Sequence, residues 1–145
     1  RDRSPSRGLG DVYKRQMDKY DFGKEFTILV AEDEESNFLL LKTILKKYTN
    51  VLHARTGKEL LQMYQDEHSD LILMDIKMPE MNGLEALKEI RKIDSSIPVI
   101  MQSAYAFEND MEAAREAGSN GFITKPISVA ILKDTIKKFI PQIEF

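Results

Sequence analysis

The sequence predicts an α/β domain, a doubly wound parallel sheet of five strands with five helices on its two faces. Three observations carry that expectation. Short apolar runs alternate with amphipathic stretches of about ten residues from Phe26 to Ile140, and such alternation builds right-handed βαβ units around a parallel sheet. Two of the runs, Ile28–Ala31 (ILVA) and Leu71–Met74 (LILM), are apolar at every position, as strands covered on both faces are. The turn-formers Gly57, Pro79, Asn82, Gly83 and Gly118 fall between the segments, not inside them.

Phe26–Ala31 reads as the first strand, short and rich in β-branched residues. Ser36–Tyr48 reads as a helix, because Leu40, Ile44 and Tyr48, and also Leu41 and Leu45, recur at helical spacing. Val51–Ala54 is a weaker strand, and Gly57 precedes a helix running to about Glu67. Asp70–Met74 is the second fully apolar strand. Pro79, Asn82 and Gly83 then mark a turn into a helix over Leu84–Lys92. Pro98–Gln102 is the fourth strand, and Phe107–Ala117 a helix closed by Gly118. Phe122–Thr124 and Ser128–Ile140 complete the set as a short strand and an amphipathic helix. The strand order 2-1-3-4-5, the flavodoxin-like arrangement, is taken from known sheets of this length.

The first 16 residues are a different material. RDRSPSRGLGDVYKRQ holds only three apolar side chains, Leu9, Val12 and Tyr13, and lacks the apolar stretch of a secretory signal. Ser6–Gln16 resembles the in-frame translation of a transposase sequencing adapter. Residues 1–16 are therefore set apart as adapter-derived or a disordered tail, 17–25 as a linker, 26–141 as the folded domain and 142–145 as a C-terminal tail. The first 16 residues carry five of the chain's 21 cationic residues and two of its 24 carboxylates, which leaves the remainder at a net charge of −6. An acidic domain is a poor binder of a phosphate backbone, so no direct nucleic-acid partner is expected. There are no cysteines, which excludes a disulfide scaffold, a zinc ribbon and a thiol nucleophile. No apolar run approaches the ~18 residues of a membrane span. The expected location is cytoplasmic, without membrane contact by this domain.

Function is read at the strand exits, since ligands of open α/β sheets bind beyond the carboxyl ends of the strands, where the order reverses. The first strand exits into Glu32 and Asp33, the third into Asp75, the fourth into Ser103 and Ala104, and the fifth into Lys125 and Pro126. Converging carboxylates repel one another, and a hard divalent cation such as Mg²⁺ resolves that repulsion. A phosphoryl group on Asp75 would then be held by the cation, Lys125 and the Ser103 hydroxyl, the electrostatic clamp that phosphoryl transfer needs.

ILVAEDEESN, LILMDIKMPEMNGLEAL, MQSAYA and ITKPI resemble the signature segments of the bacterial response-regulator receiver domain, over about residues 26–141. Asp33, Asp75, Ser103 and Lys125 stand 42, 28 and 22 residues apart in succession, and as a set they are highly specific. The resemblance implies that Asp75 is the phosphoacceptor, attacking a phosphohistidine in line. It implies that Asp33, Glu32, Asp75 and the backbone carbonyl of Lys77 serve Mg²⁺, Glu32 mostly through water. Ser103 and the Ala104 amide bind phosphoryl oxygens, and Lys125 pairs with one of them, beyond a cis Lys125–Pro126 bond. Phe122 takes the aromatic switch position, where Tyr is common, and its missing hydroxyl leaves a packing switch. Lys77 and Tyr105 flank the pocket as tuners of phosphoryl lifetime. The implied partners are a histidine kinase or histidine phosphotransfer domain, and a downstream protein docking on the face of the fourth helix, fifth strand and fifth helix.

Rival readings fail on particular residues. Thr56-Gly57-Lys58 mimics a phosphate-binding loop, yet GxxxxGK needs glycine where Leu52 stands. An aspartate-nucleophile phosphohydrolase needs a second Asp where Lys77 stands. A DNA-binding regulator needs an effector domain, which these residues do not hold, and a flavin carrier needs stacking aromatics and Ser/Thr-rich loops. His53 and His68 read as structural or surface residues, and Met74, Met78 and Met81 as packing. The polar stretch Asp18–Glu25 and the EDEESNF and SAYA segments favour the C-terminal receiver of a hybrid histidine kinase as the parent. A stand-alone single-domain regulator is the alternative.

Overall fold

The computed structural model describes residues 24–104 and 108–145. Residues 1–16, most of the 17–25 linker, Tyr105 and the expected helix start at Phe107 lie outside the described residues. The chain alternates β1 (Thr27–Ala31), α1 (Glu35–Leu45), β2 (Asn50–Ala54), α2 (Gly57–Asp66), β3 (Leu71–Asp75), α3 (Gly83–Ile93), β4 (Val99–Ser103), α4 (Glu108–Ala117), β5 (Gly121–Thr124) and α5 (Val129–Phe139). The five strands form one parallel sheet in the order β2-β1-β3-β4-β5. The doubly wound fold and its expected order are both present.

Side-chain alternation divides the core in two. Ile28 and Val30 of β1, Leu71 and Leu73 of β3, Ile100 of β4 and Ile123 of β5 face α1 and α5, packing on Phe38, Leu41, Leu45, Leu132 and Ile136. Leu29, Ala31, Ile72, Met74, Val99, Met101 and Phe122 face the other way, against Leu60 of α2, Leu87 and Ile90 of α3 and Ala114 of α4. β1, β3 and β4 are buried at every position, whereas β2 and β5 are the half-buried edges.

Local chemistry sets the helix starts. The Thr56 hydroxyl accepts from the Glu59 amide at 3.0 Å, and Asn82 and Glu85 form a reciprocal capping box at the start of α3. Gly118 closes α4 with a φ of 107°, the left-handed position that favours glycine. α1 departs from expectation in two ways. It ends at Leu45, because the amides of Tyr48 and Thr49 both turn back to the Leu45 carbonyl. Its buried stripe is Phe38, Leu41 and Leu45, while Leu39 and Leu40 are exposed. The C-terminal residues pack as well. Ile143 is buried against the α1/α5 core, its carbonyl accepts from Lys137 Nζ, and the Phe145 ring meets Tyr48 edge-on.

Candidate phosphoacceptor site

The parity that fills the core also sorts the polar residues at the strand ends. Glu32 follows Val30 by two residues and Asp75 follows Leu73 by two, so both continue the α1/α5 face. Lys125 stands two residues beyond Ile123, on the same side. Ser103 continues the opposite face of β4, and Asp33 sits in the bend beyond β1. Asp75 and Ser103 are the last residues of their strands, not the first beyond them: Asp75 pairs with Gln102 and Ser103 with Thr124. The ladder extends one rung further because the Ile76 amide reaches the Gln102 carbonyl at 3.1 Å.

Glu32, Asp33 and Asp75 converge, each offering one carboxylate oxygen within 4.8 Å of the others. Glu32 and Asp75 are buried, while Asp33 is exposed at the mouth. Lys125 Nζ donates to Glu32 Oε1 and to Asp75 Oδ2, both at 2.9 Å. The Lys77 amide donates to the other Asp75 oxygen at 3.2 Å, and the Glu34 amide to Glu32 Oε2 at 3.2 Å. Burial drives the Glu32 pKa above the usual carboxylate value, against the Lys125 hydrogen bond, and the nearby Asp75 charge adds to the rise. Burial alone would weaken the Lys125 ammonium, but its bonds to Asp75 and Glu32 outweigh that and raise its pKa. The donor set fits a hard divalent cation. Opposite oxygens around Mg²⁺ stand about 4.1 Å apart, close to the span of these three carboxylates.

The frame around the site is tight. The Lys125 amide donates to the Ser103 carbonyl at 2.8 Å, joining the exit of β5 to that of β4, and the Lys125–Pro126 peptide is cis, as the resemblance implied. A side chain at Gly83 would drive its Cβ into the Asp75 carbonyl and the Ile76 Cα, so α3 can pack this close to the Asp75 strand only with glycine there. Ser103 is buried, Ala104 is exposed beside it, and Phe122 is half-buried in register with Met101. The site thus gathers Glu32, Asp33, Asp75, Lys77, Ser103, Ala104 and Lys125. Phe122 stands further down β5, on the Ser103 side of the sheet.

Two residues beside the site were not singled out from the sequence as part of it. His53 on β2 stacks on the Phe38 ring of α1, with centroids 3.6 Å apart. Its Nε2 lies 2.8 Å from the Glu32 carbonyl, an acceptor only, so Nε2 carries the proton. The ring pins the loop that bears Glu32 and Asp33. Gln102 is fully buried beside Asp75, and its amide nitrogen has no hydrogen-bond partner among the described residues. Its signal in the sequence was a polar side chain closing the otherwise apolar run Val99–Met101.

Residues 28–137 match the family model of the response regulator receiver domain. The polar-differentiation response regulator DivK of Brucella ovis is 36% identical over 117 residues, covering 79% of this chain and 95% of that relative. Among solved structures, the receiver domain of the sensor histidine kinase PA1611 from Pseudomonas aeruginosa PAO1, which has a magnesium ion coordinated in its active site cleft, is 28% identical with a TM-score of 0.75, over 81% of this chain and 98% of that one. The signal receiver domain of a signal transduction histidine kinase from Syntrophus aciditrophicus is 29% identical with a TM-score of 0.73, over 80% and 90%. With its sheet order, its converging carboxylates and this match across most of its length, the chain belongs to the response regulator receiver domain family.

Proposed function

We propose that this receiver domain takes a phosphoryl group from a phosphohistidine onto Asp75 and answers by reshaping the face formed by α4, β5 and α5. The observation that carries the reading is the bridging of buried Glu32 and Asp75 by Lys125, with Asp33 open to solvent beside them. A carboxylate oxygen of Asp75 attacks phosphorus, the phosphorus–nitrogen bond of the donor breaks, and the imidazole leaves with the electron pair and takes up a proton. Mg²⁺, held by Asp33, Asp75 and the Lys77 carbonyl with Glu32 behind a water, would neutralise the charge that builds on the transferring oxygens. Lys125 serves a phosphoryl oxygen, and the Ser103 hydroxyl and Ala104 amide serve the others. Ser103 and Phe122 stand on one side of the sheet through the Met101–Phe122 and Ser103–Thr124 pairs, so movement of Ser103 toward the phosphoryl group opens space that Phe122 can fill. Lys77, and Tyr105 by the sequence resemblance, set how long the phosphoryl group lasts.

The donor partner is a histidine kinase or a histidine phosphotransfer domain. Met111 of α4 and Val129 and Ile131 of α5 are exposed, and a cavity of about 180 Å³ lies between Met111, Arg115, Asn120 and Phe122. These features suit a protein partner. No helix among the described residues is long and apolar enough to cross a membrane, and we place the domain in the cytoplasm. Two parents would carry it. The polar approach through Asp18–Glu25 supports a hybrid histidine kinase, and the match over 95% of a curated relative's length supports a stand-alone regulator. The source gene upstream of the Met17 codon separates them: kinase catalytic sequence in frame means the hybrid, a stop codon the regulator.

Beryllofluoride with Mg²⁺, an analogue of the aspartyl phosphate, tests the site. Amide resonances of Ala104, Phe122 and Lys125 shift in the wild-type chain and stay in place in Asp75→Asn. Equal shifts in both proteins contradict the acceptor assignment.

A further inference from the structure

Gln102 occupies a position the fold does not need to be polar. On β4 it alternates with Ile100 and faces the α1/α5 core. It lies between Asp75 on β3 and Ile123 on β5 in the sheet register. Glu32, one residue past the Ala31–Met74 pair, extends the same row, and Lys125 closes over it from beyond Ile123. The Gln102 side chain is 1% exposed and its amide nitrogen is unpartnered, an arrangement less stable than an apolar side chain of the same shape. The other orphaned buried side chains among the described residues, the hydroxyls of Thr49 and Ser69, precede β2 and β3 at the opposite edge of the sheet, away from the Glu32, Asp33 and Asp75 cluster.

In the resting site both Asp75 oxygens are already served, one by the Lys77 amide and one by Lys125. A phosphoryl group brings three more acceptor oxygens and about two negative charges. Lys125, the Ser103 hydroxyl and the Ala104 amide supply one donor each, and every phosphoryl oxygen accepts more than one hydrogen bond, so acceptor capacity remains for a further donor. We propose that Gln102 is a further binding residue for the phosphorylated state, its Nε2 amide donating to an oxygen of the aspartyl phosphate on Asp75. This rests on Asp75 being the acceptor. The amide is a donor held in reserve: idle in the resting fold, engaged once the group arrives. It brings no charge, so it adds a bond to the phosphoryl group without competing with Lys125 for the carboxylates.

The test compares Gln102→Met and Gln102→Leu with the wild-type chain in three measurements. These are the thermal midpoint, the Mg²⁺ dissociation constant by calorimetry, and the rate of phosphorylation by phosphoramidate at saturating Mg²⁺, followed by intact mass. The expected result is a midpoint equal to or above the wild type, a Mg²⁺ constant within about twofold, and a rate about tenfold to hundredfold lower, the worth of one hydrogen bond to a charged acceptor. A folded variant phosphorylated at the wild-type rate overturns the inference. So does failure of both variants to fold, which would show that the amide serves the resting structure. A wild-type chain that takes no phosphoryl group overturns the Asp75 reading and this inference with it.

Discussion

The ammonium of Lys125 lies 2.9 Å from a carboxylate of Glu32 and from one of Asp75, with all three side chains at least four-fifths buried. Removing one partner of such a cluster leaves charge without compensation, at a cost of about 3–5 kcal/mol. Lys125→Ala should therefore lose about that much stability to urea in chelator, and Mg²⁺ should restore more of it than it adds to the wild type. Equal gains from Mg²⁺ in the two proteins would mean that the ammonium and the cation do not answer the same carboxylates. Asp94, at the far end of α3, gives a pH prediction of opposite location. The Tyr64 hydroxyl and the Ser96 amide donate to it and hold its pKa down to about 2, below the usual carboxylate value of 3.8. A depressed carboxylate stabilises the fold above its unfolded pKa, and that contribution fades as pH falls through the folded one. Asp94→Asn should then be destabilising at neutral pH, with the gap to the wild type closing between about pH 4 and pH 2. A gap independent of pH contradicts the assignment.

Among the elements, the C-terminal segment contributes more than its place in the sequence suggests. Ile143 is 2% exposed against the α1/α5 core, and burying one such side chain is worth about 1.5–3 kcal/mol. A chain ended at Pro141 should lose about 2 kcal/mol in urea denaturation while keeping its affinity for Mg²⁺. An unchanged midpoint would mean that the segment merely rests on the surface. From sequence, residues 142–145 read as a tail because four residues carry no periodicity from which burial can be inferred. The α1 stripe was ambiguous for a related reason. Leu39, Leu40 and Leu41 are contiguous, so helical spacing fits more than one face, and only the packing of Phe38 and Leu41 on β1 and β3 selects one. β1 and β3 were legible because strands covered on both faces must be apolar throughout, and the α3 start because its turn residues permit little else.

For the molecule as a whole, a parallel sheet brings residues distant in sequence to one edge, which is why the gathering of these side chains was legible at the strand exits. Glu32, Asp33, Asp75, Ser103 and Lys125 each follow an apolar run that fixes a strand, and neighbouring strands must end together. What lay beyond reach was the face on which each side chain stands. That depends on register, and register placed Gln102 beside Asp75 and His53 beneath the Glu32 carbonyl. The same register gathers negative charge at one edge of an already acidic domain, and the Lys125 ammonium offsets part of it. The direct test is transfer itself. Wild-type chain and Asp75→Asn are incubated with phosphoramidate, with Mg²⁺ or with chelator, and followed by intact mass. The account predicts the gain of a single phosphoryl group by the wild type, dependent on Mg²⁺, and none by the variant. Phosphorylation of Asp75→Asn at the wild-type rate would contradict it.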